Sequence, residues 1–521
     1  MIKTCVKSDK TGLFSPLFLD YLAKDPSLKP FYNEYPEVAG FQNLIDQKAF
    51  SQAQRKTLVD ALSSQYGPLY PEVEEQITSL GHEKTFTVTT GHQLNLMTGP
   101  LYFIYKIVTT INLAEKLKQA YPEYHFVPVY WMATEDHDFE EINYFKLDGK
   151  KYQWTSEQKG AVGDFELDKS FQSWLGNLGF IPPFFKEAYS SSKKLSEAVR
   201  KYVHHLFGDR GLLVVDGHDS VLKKALKPVI ESDLTNHKPY ELVSQQTALL
   251  ESMGYKSQIF AREINSFYLQ KGIRERIERK GDSYVILNTG IEFSAAQIKE
   301  MIQENPEQFS PNVVLRPLYQ EMILPNLAYI GGPAEVAYWL QLKPIFDHFG
   351  VMFPAVMPRN FSLVIDKTVS RKMRQLGLNS DDLFESVLDW KKKHLASNST
   401  LDLKFGKERK DLERIFEDAK QGAIRIDPSL GKAYEAAKVR AAKLLDHLSS
   451  KVRKAEEKNH AIAIRQRQEI QDSLFPGGSP QERVENFLAF YLEDEQFISS
   501  LIAQFDPFDF DFIILELDEQ S

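Results

Sequence analysis

Cysteine is nearly absent: Cys5 stands alone in 521 residues. That excludes an intramolecular disulfide framework and a zinc site built on cysteines. Long apolar runs are missing as well. The richest stretch, residues 101–114, is broken by Lys106 and Asn112 and falls short of the roughly 18 to 20 residues needed to span a bilayer. Residues 1–22 carry Lys3, Lys7, Asp9 and Lys10 and no apolar signal region. Nor is there an excess of positive charge. Lys and Arg number 63 against 72 Asp and Glu, a net charge of −9, which argues against a surface that tracks nucleic acid throughout. These absences predict a cytoplasmic protein with no membrane association. What is present is globular: 42% hydrophobic and 26% charged residues, in a length that suits two to four domains at about 150 residues each.

A repeated grammar organises the middle of the chain. Apolar, β-rich runs at Phe86–Thr90, Phe126–Trp131, Leu212–Val215, Leu327–Ile330 and Val351–Val356 each end in a polar or glycine-rich loop. The loops are Gly91-His92-Gln93, Thr134 to Asp138, Asp216 to Asp219, Gly331-Gly332-Pro333 and Pro358-Arg359-Asn360. Helical stretches follow most of them, including residues 101–117, with Thr98 as the expected N-cap and Pro100 in the first turn. Strand, loop, helix, strand is the pattern of a parallel sheet. The expected fold is α/β, a doubly wound core over residues 85–378 with insertions near 150–202 and 238–310. Residues 1–84 read as a helical segment packed on that core.

No strand is expected beyond residue 378. Asp427-Pro428 reads as a helix start. Leu430, Tyr434, Ala437, Ala441, Leu444, Leu448 and Ala455 then recur at spacings of three, four and seven. One helix over 428–474 would be about 70 Å long at 1.5 Å per residue, and its heptad seam predicts a coiled-coil arm over residues 379–475. Residues 476–521 are expected to fold back. Residues 438–469 hold nine Lys or Arg against four Asp or Glu. A basic helical hairpin can grip nucleic acid; the solvated outside of a coiled coil is the preferred reading.

In open α/β sheets ligands bind outside the carboxyl ends of the strands, so the loops are the candidate site. Glu135-Asp136-His137-Asp138 sets three carboxylates around one imidazole, residue types that serve as base, amine counter-charge or metal ligand. No metal is assigned, because His137 would need a second ligand such as His92 or His218 and no spacing fixes one. Gly91, His92 and Gln93, with Thr98, Gly99 and Pro100 just before a helix, suit close approach of an anion, or simply a turn that packs. Arg316 and Arg359 suit bidentate carboxylate binding, with a structural ion pair as the alternative. Glu335 is either a ligand contact or a first-turn dipole partner. His218 and Asp219 lie on a further loop at the same edge.

Several stretches together resemble one family. They are Gly91-His92-Gln93 with Thr98-Gly99-Pro100-Leu101-Tyr102 and Lys106; Trp131 with Glu135-Asp136-His137-Asp138 and Glu141-Ile142-Asn143; Asn312-Val313-Val314 with Arg316-Pro317 and Gln320-Glu321; and Gly332-Pro333, Glu335 and Tyr338-Trp339. They resemble, in order, the cysteine-adding enzymes of bacillithiol biosynthesis, the BshC family. The resemblance implies a Rossmann-type core with connecting-peptide insertions, similar to class I aminoacyl-tRNA synthetases, and a coiled-coil arm that makes a homodimer. It implies an amide-forming ligase whose substrates are cysteine and the amino group of glucosaminyl-malate. On that reading His92, Asp136, His137 and Asp138 are the catalytic candidates, with His137 or Asp138 acting on the amine as base or counter-charge. Gln93, Glu135, Arg316, Glu335 and Arg359 bind substrate, the two arginines holding malate. Gly91, Thr98, Gly99 and Pro100 would meet a nucleotide, with ATP as the candidate cofactor, although the HIGH-type tetrapeptide is absent and no KMSKS-like loop is found. The rival readings are another nucleotidyltransferase-superfamily enzyme and a coiled-coil scaffold or RNA-binding protein.

Overall fold

The computed structural model describes residues 1–67 and 70–517; the last four residues of the C-terminal segment, and two of the N-terminal one, lie outside the described residues. Five strands form the central sheet: β1 (Thr85–His92), β2 (His125–Met132), β3 (Leu213–Asp216), β4 (Asn326–Gly331) and β5 (Ala355–Pro358). All are parallel, in the order β5-β4-β1-β2-β3. This is a doubly wound order, and the direction of winding reverses between β1 and β4, where such folds open a crevice. Helix α1 (Tyr102–Ala120) crosses from β1 to β2; α2 (Arg316–Ile323) leads into β4 and α3 (Pro333–Trp339) leaves it. Both faces of the sheet are covered, so its strands are buried almost throughout. The buried threonines of β1 are accommodated by hydrogen bonds: Thr87 and Thr89 both donate to Asn326 Oδ1 on β4, at 3.1 and 2.8 Å.

Between β3 and β4 the chain builds a second, antiparallel sheet of five strands, with Ile273–Lys280 at its centre and Ser266–Gln270 and Phe309–Pro311 on the side nearer the core. Alternating strands of this kind bury one face and leave the other wet. Residues 238–310 therefore supply a roof over the carboxyl ends of β2 and β3, bringing Phe267 and Arg274 to the site.

The expectation that strands end by residue 378 is corrected. Phe512–Glu516 is the middle strand of a third sheet, antiparallel to Ile2–Val6 and parallel to Phe361–Ile365. The first segment is thus helical apart from a strand at its start, joined to a partner some 500 residues away.

The arm is helical. Helix α4 (Gly406–Ile424) pairs with α5 (Leu430–Asn459), and α6 (Ala461–Leu474) returns to the core. Ion pairs Arg409–Asp446 and Lys420–Glu435 fix an antiparallel register. Two local expectations are corrected. Asp427 does not cap the helix directly; its Oδ1 accepts from Ser429 N at 2.8 Å within the turn between α4 and α5. The single 428–474 helix is divided at His460 (φ −99°, ψ 17°), where the ring Nδ1 lies 3.2 Å from His394 Nε2. The heptad seam is also divided: Tyr434, Ala437 and Ala441 are half-buried, while Leu430, Leu444 and Leu448 remain exposed. Among the described residues no helix is long and apolar enough to cross a membrane.

Candidate active site

A cavity of about 540 Å³ opens at the carboxyl ends of the central strands. Gly91, His92 and Gln93 reach it from β1, Glu135 and Asp136 from β2, His218 from β3, Gly332 and Glu335 from β4 and α3, and Arg316 and Arg359 from α2 and the end of β5. Its location follows from topology, because the loops after all five strands leave the same sheet edge, and the start of α2 brings Arg316 to it.

The side toward β4 is built on a buried ion pair. Lys106, one turn into α1, donates to Gly91 O at 2.9 Å and pairs with Glu335. Glu335 also accepts from Tyr329 Oη at 2.6 Å and from Gly332 N at 2.9 Å. Burial would raise the Glu335 carboxyl, but Lys106 and these donors outweigh it and hold it below the usual range. Arg316 lies alongside. Its Nη1 donates to Gln320 Oε1 at 3.1 Å and its Nη2 to Tyr338 Oη at 3.2 Å, both neutral. Gly91 leaves room here: a Cβ would sit 3.3 Å from Tyr329 Oη, a tight contact, and 3.5 Å from Arg316 Nη1. Burial, with Lys106 and Arg359 nearby, keeps the His92 imidazole neutral, far below its usual titration range.

The side toward β2 and β3 is acidic and tightly bonded. Glu135 accepts from His218 Nδ1 at 3.0 Å and Ser310 Oγ at 2.9 Å, and pairs with the fully buried Lys223. Burial opposes its charge; Lys223 and His218 prevail and hold its pKa down to about 2. Asp136 accepts from Gln93 Nε2 and from His137 N, each at 2.7 Å, with Arg274 3.9 Å away. Those contacts overcome its burial and keep it ionised far below the ordinary range.

Other candidates are placed elsewhere. His137 and Asp138 are exposed and do not line the cavity; Arg274 Nη1 donates to His137 Nδ1 at 2.7 Å at its rim. Thr98, Gly99 and Pro100 lie outside it too. Thr98 is not an N-cap; it sits in a left-handed turn with φ 72°, and α1 starts with no side-chain cap. Asn486 Nδ2 donates to Met97 O and Gly99 O at 2.8 and 2.6 Å, and Leu101 N donates to Glu485 O. The Leu101 amide, a donor a phosphate would need, is thus taken by Glu485 O of the C-terminal segment, Asn486 covers the neighbouring carbonyls, and the turn lies outside the cavity, so these residues do not fit a nucleotide. Arg359 lines the cavity, but both of its terminal nitrogens bond Glu482. Glu321 lies away from the cavity, where it pairs with Lys48 at 3.6 Å.

Sequence reasoning passed over Lys106, Lys223, Tyr329, Tyr338 and Arg274 as site residues. Lys106 carried a signal, being a charge inside an otherwise apolar helix run. Arg274 carried none: it alternates with other charges on an insertion strand, and only the antiparallel sheet brings it to Asp136 and His137.

A doubly wound core with a cavity lined by charged side chains at its switch point and a helical arm defines a Rossmann-type enzyme with a coiled-coil domain. Residues 1–360 match the family model described as "Bacillithiol biosynthesis BshC, N-terminal Rossmann-like domain", and residues 362–517 match its C-terminal coiled-coil domain. The chain belongs to the BshC family of bacillithiol biosynthesis. Relatives named "Putative cysteine ligase BshC" include that of Flavobacterium psychrophilum, 41% identical over 98% of this chain and 99% of its own. That of Cytophaga hutchinsonii is 41% identical over 96% and 97%, and that of Chlorobaculum tepidum 30% identical over 92% of each.

Proposed function

We propose that the protein joins the carboxyl carbon of cysteine to the amino group of glucosaminyl-malate, forming the amide bond of bacillithiol. Membership of the BshC family supports the pathway. The observation that carries the substrate reading is the division of charge across one cavity. Arg316, without a carboxylate partner among the described residues, stands toward β4, and the ionised Glu135 and Asp136 stand toward β2. A substrate with a dicarboxylate at one end and an amine at the other matches that division. Deleting the gene should leave cells with accumulated glucosaminyl-malate and no bacillithiol, measured by metabolite profiling. Normal bacillithiol in the deletion strain would overturn the reading.

The arm is proposed to make a homodimer. Leu444 and Leu448 are 61% and 43% exposed along a helix that has no buried residue in the single chain, and a stripe of this kind is covered by a second helix pair. Leu444→Lys with Leu448→Lys should yield monomers with the core still folded. Sedimentation showing an intact dimer would mean the copies associate elsewhere.

A further inference from the structure

Three histidines approach the site, and their hydrogen bonds separate their roles. His92 is buried beside two cations and has no partner for Nε2 among the described residues. His137 lies at the rim, and the Nδ1 lone pair is taken by Arg274, a group that can only donate. His218 lines the cavity, and its Nδ1 lies 3.0 Å from Glu135 Oε1. Glu135 is ionised and can only accept. The Nδ1 of His218 therefore carries the proton, and Nε2 of the neutral ring holds a lone pair. Nε2 makes no hydrogen bond among the described residues; it lies 4.0 Å from Oδ2 of Asp164, a carboxylate whose Oδ1 pairs with Lys194 at 2.7 Å.

The backbone around His218 is built to hold this geometry. Asp216 Oδ1 accepts from His218 N at 2.9 Å and is itself held by the Thr134 hydroxyl. Gly217 passes so close to Trp131 that a Cβ would meet its ring at 2.3 Å. Tyr319 Oη donates to Gly217 O at 2.7 Å. The strand end is pinned from both sides and holds Nδ1 against the Glu135 carboxylate, which leaves Nε2, on a residue that lines the cavity, as the ring nitrogen with a free lone pair, as a general base needs.

Resting on the ligase reading above, we infer that His218 is the general base that takes a proton from the substrate's primary ammonium group, with Glu135 as its positioning residue. The step is one proton transfer. The ammonium N–H bond breaks, its electron pair stays on nitrogen, and an Nε2–H bond forms. The positive charge passes to the imidazolium, where Glu135 stabilises it, and the free amine is left as nucleophile. The charged groups around the ring agree with this. Burial and Lys223 lower the affinity of His218 for a proton, but the hydrogen bond and charge of Glu135, with Asp216, outweigh them and place its titration above the usual 6.5.

Two measurements on the full-length protein test this. Deuterium exchange at the imidazole C2 position, followed by mass spectrometry from pH 5 to 9, reads each histidine's titration. His218 should titrate above 6.5 in the wild type and lower in Glu135→Gln. A wild-type midpoint below 6.5, or an unchanged midpoint in a folded Glu135→Gln, overturns the pairing. If Glu135→Gln does not fold because Lys223 is left unpaired, the wild-type midpoint decides. The second measurement is the rate of bacillithiol formation from labelled cysteine in a strain lacking its own cysteine ligase. The wild-type gene should restore it, and His218→Gln should reduce the restored rate by about 100-fold or more with an unchanged melting temperature. Equal restoration by His218→Gln removes the base and leaves the ligase reading standing. No restoration by the wild type removes the ligase reading, while the exchange experiment still judges the pairing.

Discussion

Arg359→Met should lower stability by roughly 3 to 5 kcal/mol, the loss typical of a buried ion pair broken on one side. The Arg359 and Glu482 side chains are each 3% exposed. Nη1 lies 2.9 Å from Glu482 Oε2, Nη2 bonds Oε1, and Nη1 also donates to Asn360 O at 2.8 Å. Removing the guanidinium strands a carboxylate with one remaining donor, Ser362 N at 3.1 Å. The same pair joins the last core strand to the segment that follows the arm, so its loss should loosen that segment first. Gln481 acts beside it, accepting from Val364 N and donating to Val364 O. Arg359→Met combined with Glu482→Leu should recover most of the loss, because the buried charge is then gone as well. Urea unfolding of the two single variants and the double variant measures all three values. An Arg359→Met midpoint equal to wild type would show that the pair contributes nothing. This geometry favours the structural alternative for Arg359 over malate binding, since among the described residues only its Nε is left without a partner.

Arg359 also shows what a sequence can and cannot disclose. Its place after a strand was legible, because strand, loop and helix are local patterns and every parallel strand of the core carries one. So were four of the strands and the glycine and carboxylate loops at their ends; the fifth was expected over 351–356 and forms four residues later, at Ala355–Pro358. Glu482 was not, because it lies 123 residues away beyond the whole arm and no periodicity links the two. The sheet that pairs Ile2–Val6 with Phe512–Glu516 is hidden for the same reason. The Thr98–Pro100 turn misled in another way. Glycine, proline and a following helix mark close approach by something, and here that something is Asn486 of the chain itself. In the arm the heptad repeat was legible, but α4 covers only part of the seam, so the spacing alone did not show which residues stay exposed. Composition likewise could not show that the lysine interrupting residues 101–114 is the anchor of Glu335.

Arg316→Lys should raise the apparent KM for glucosaminyl-malate by roughly 10- to 150-fold, the equivalent of about 1.5 to 3 kcal/mol for one charge-assisted contact. The reasoning starts from what Arg316 lacks. Glu335, the nearby carboxylate, is already neutralised by Lys106, a tyrosine hydroxyl and a backbone amide. The Arg316 guanidinium is held in place by Gln320 and Tyr338, and its charge is matched by no ion pair among the described residues. A half-buried guanidinium that keeps its charge and has no direct ion pair among the described residues can pair with an anionic ligand. Lysine would preserve the charge but lose the planar fork that binds a carboxylate through two parallel hydrogen bonds. The KM for the malate-bearing substrate should therefore rise more than the KM for cysteine, with kcat changed less than either. Free malate should inhibit the wild type competitively and the variant more weakly. Steady-state kinetics with both substrates, read beside the melting temperature, separates the outcomes. If Arg316→Lys melts early and its KM for glucosaminyl-malate stays at the wild-type value, Arg316 supports the packing of α2 and the malate end of the substrate is held by another group.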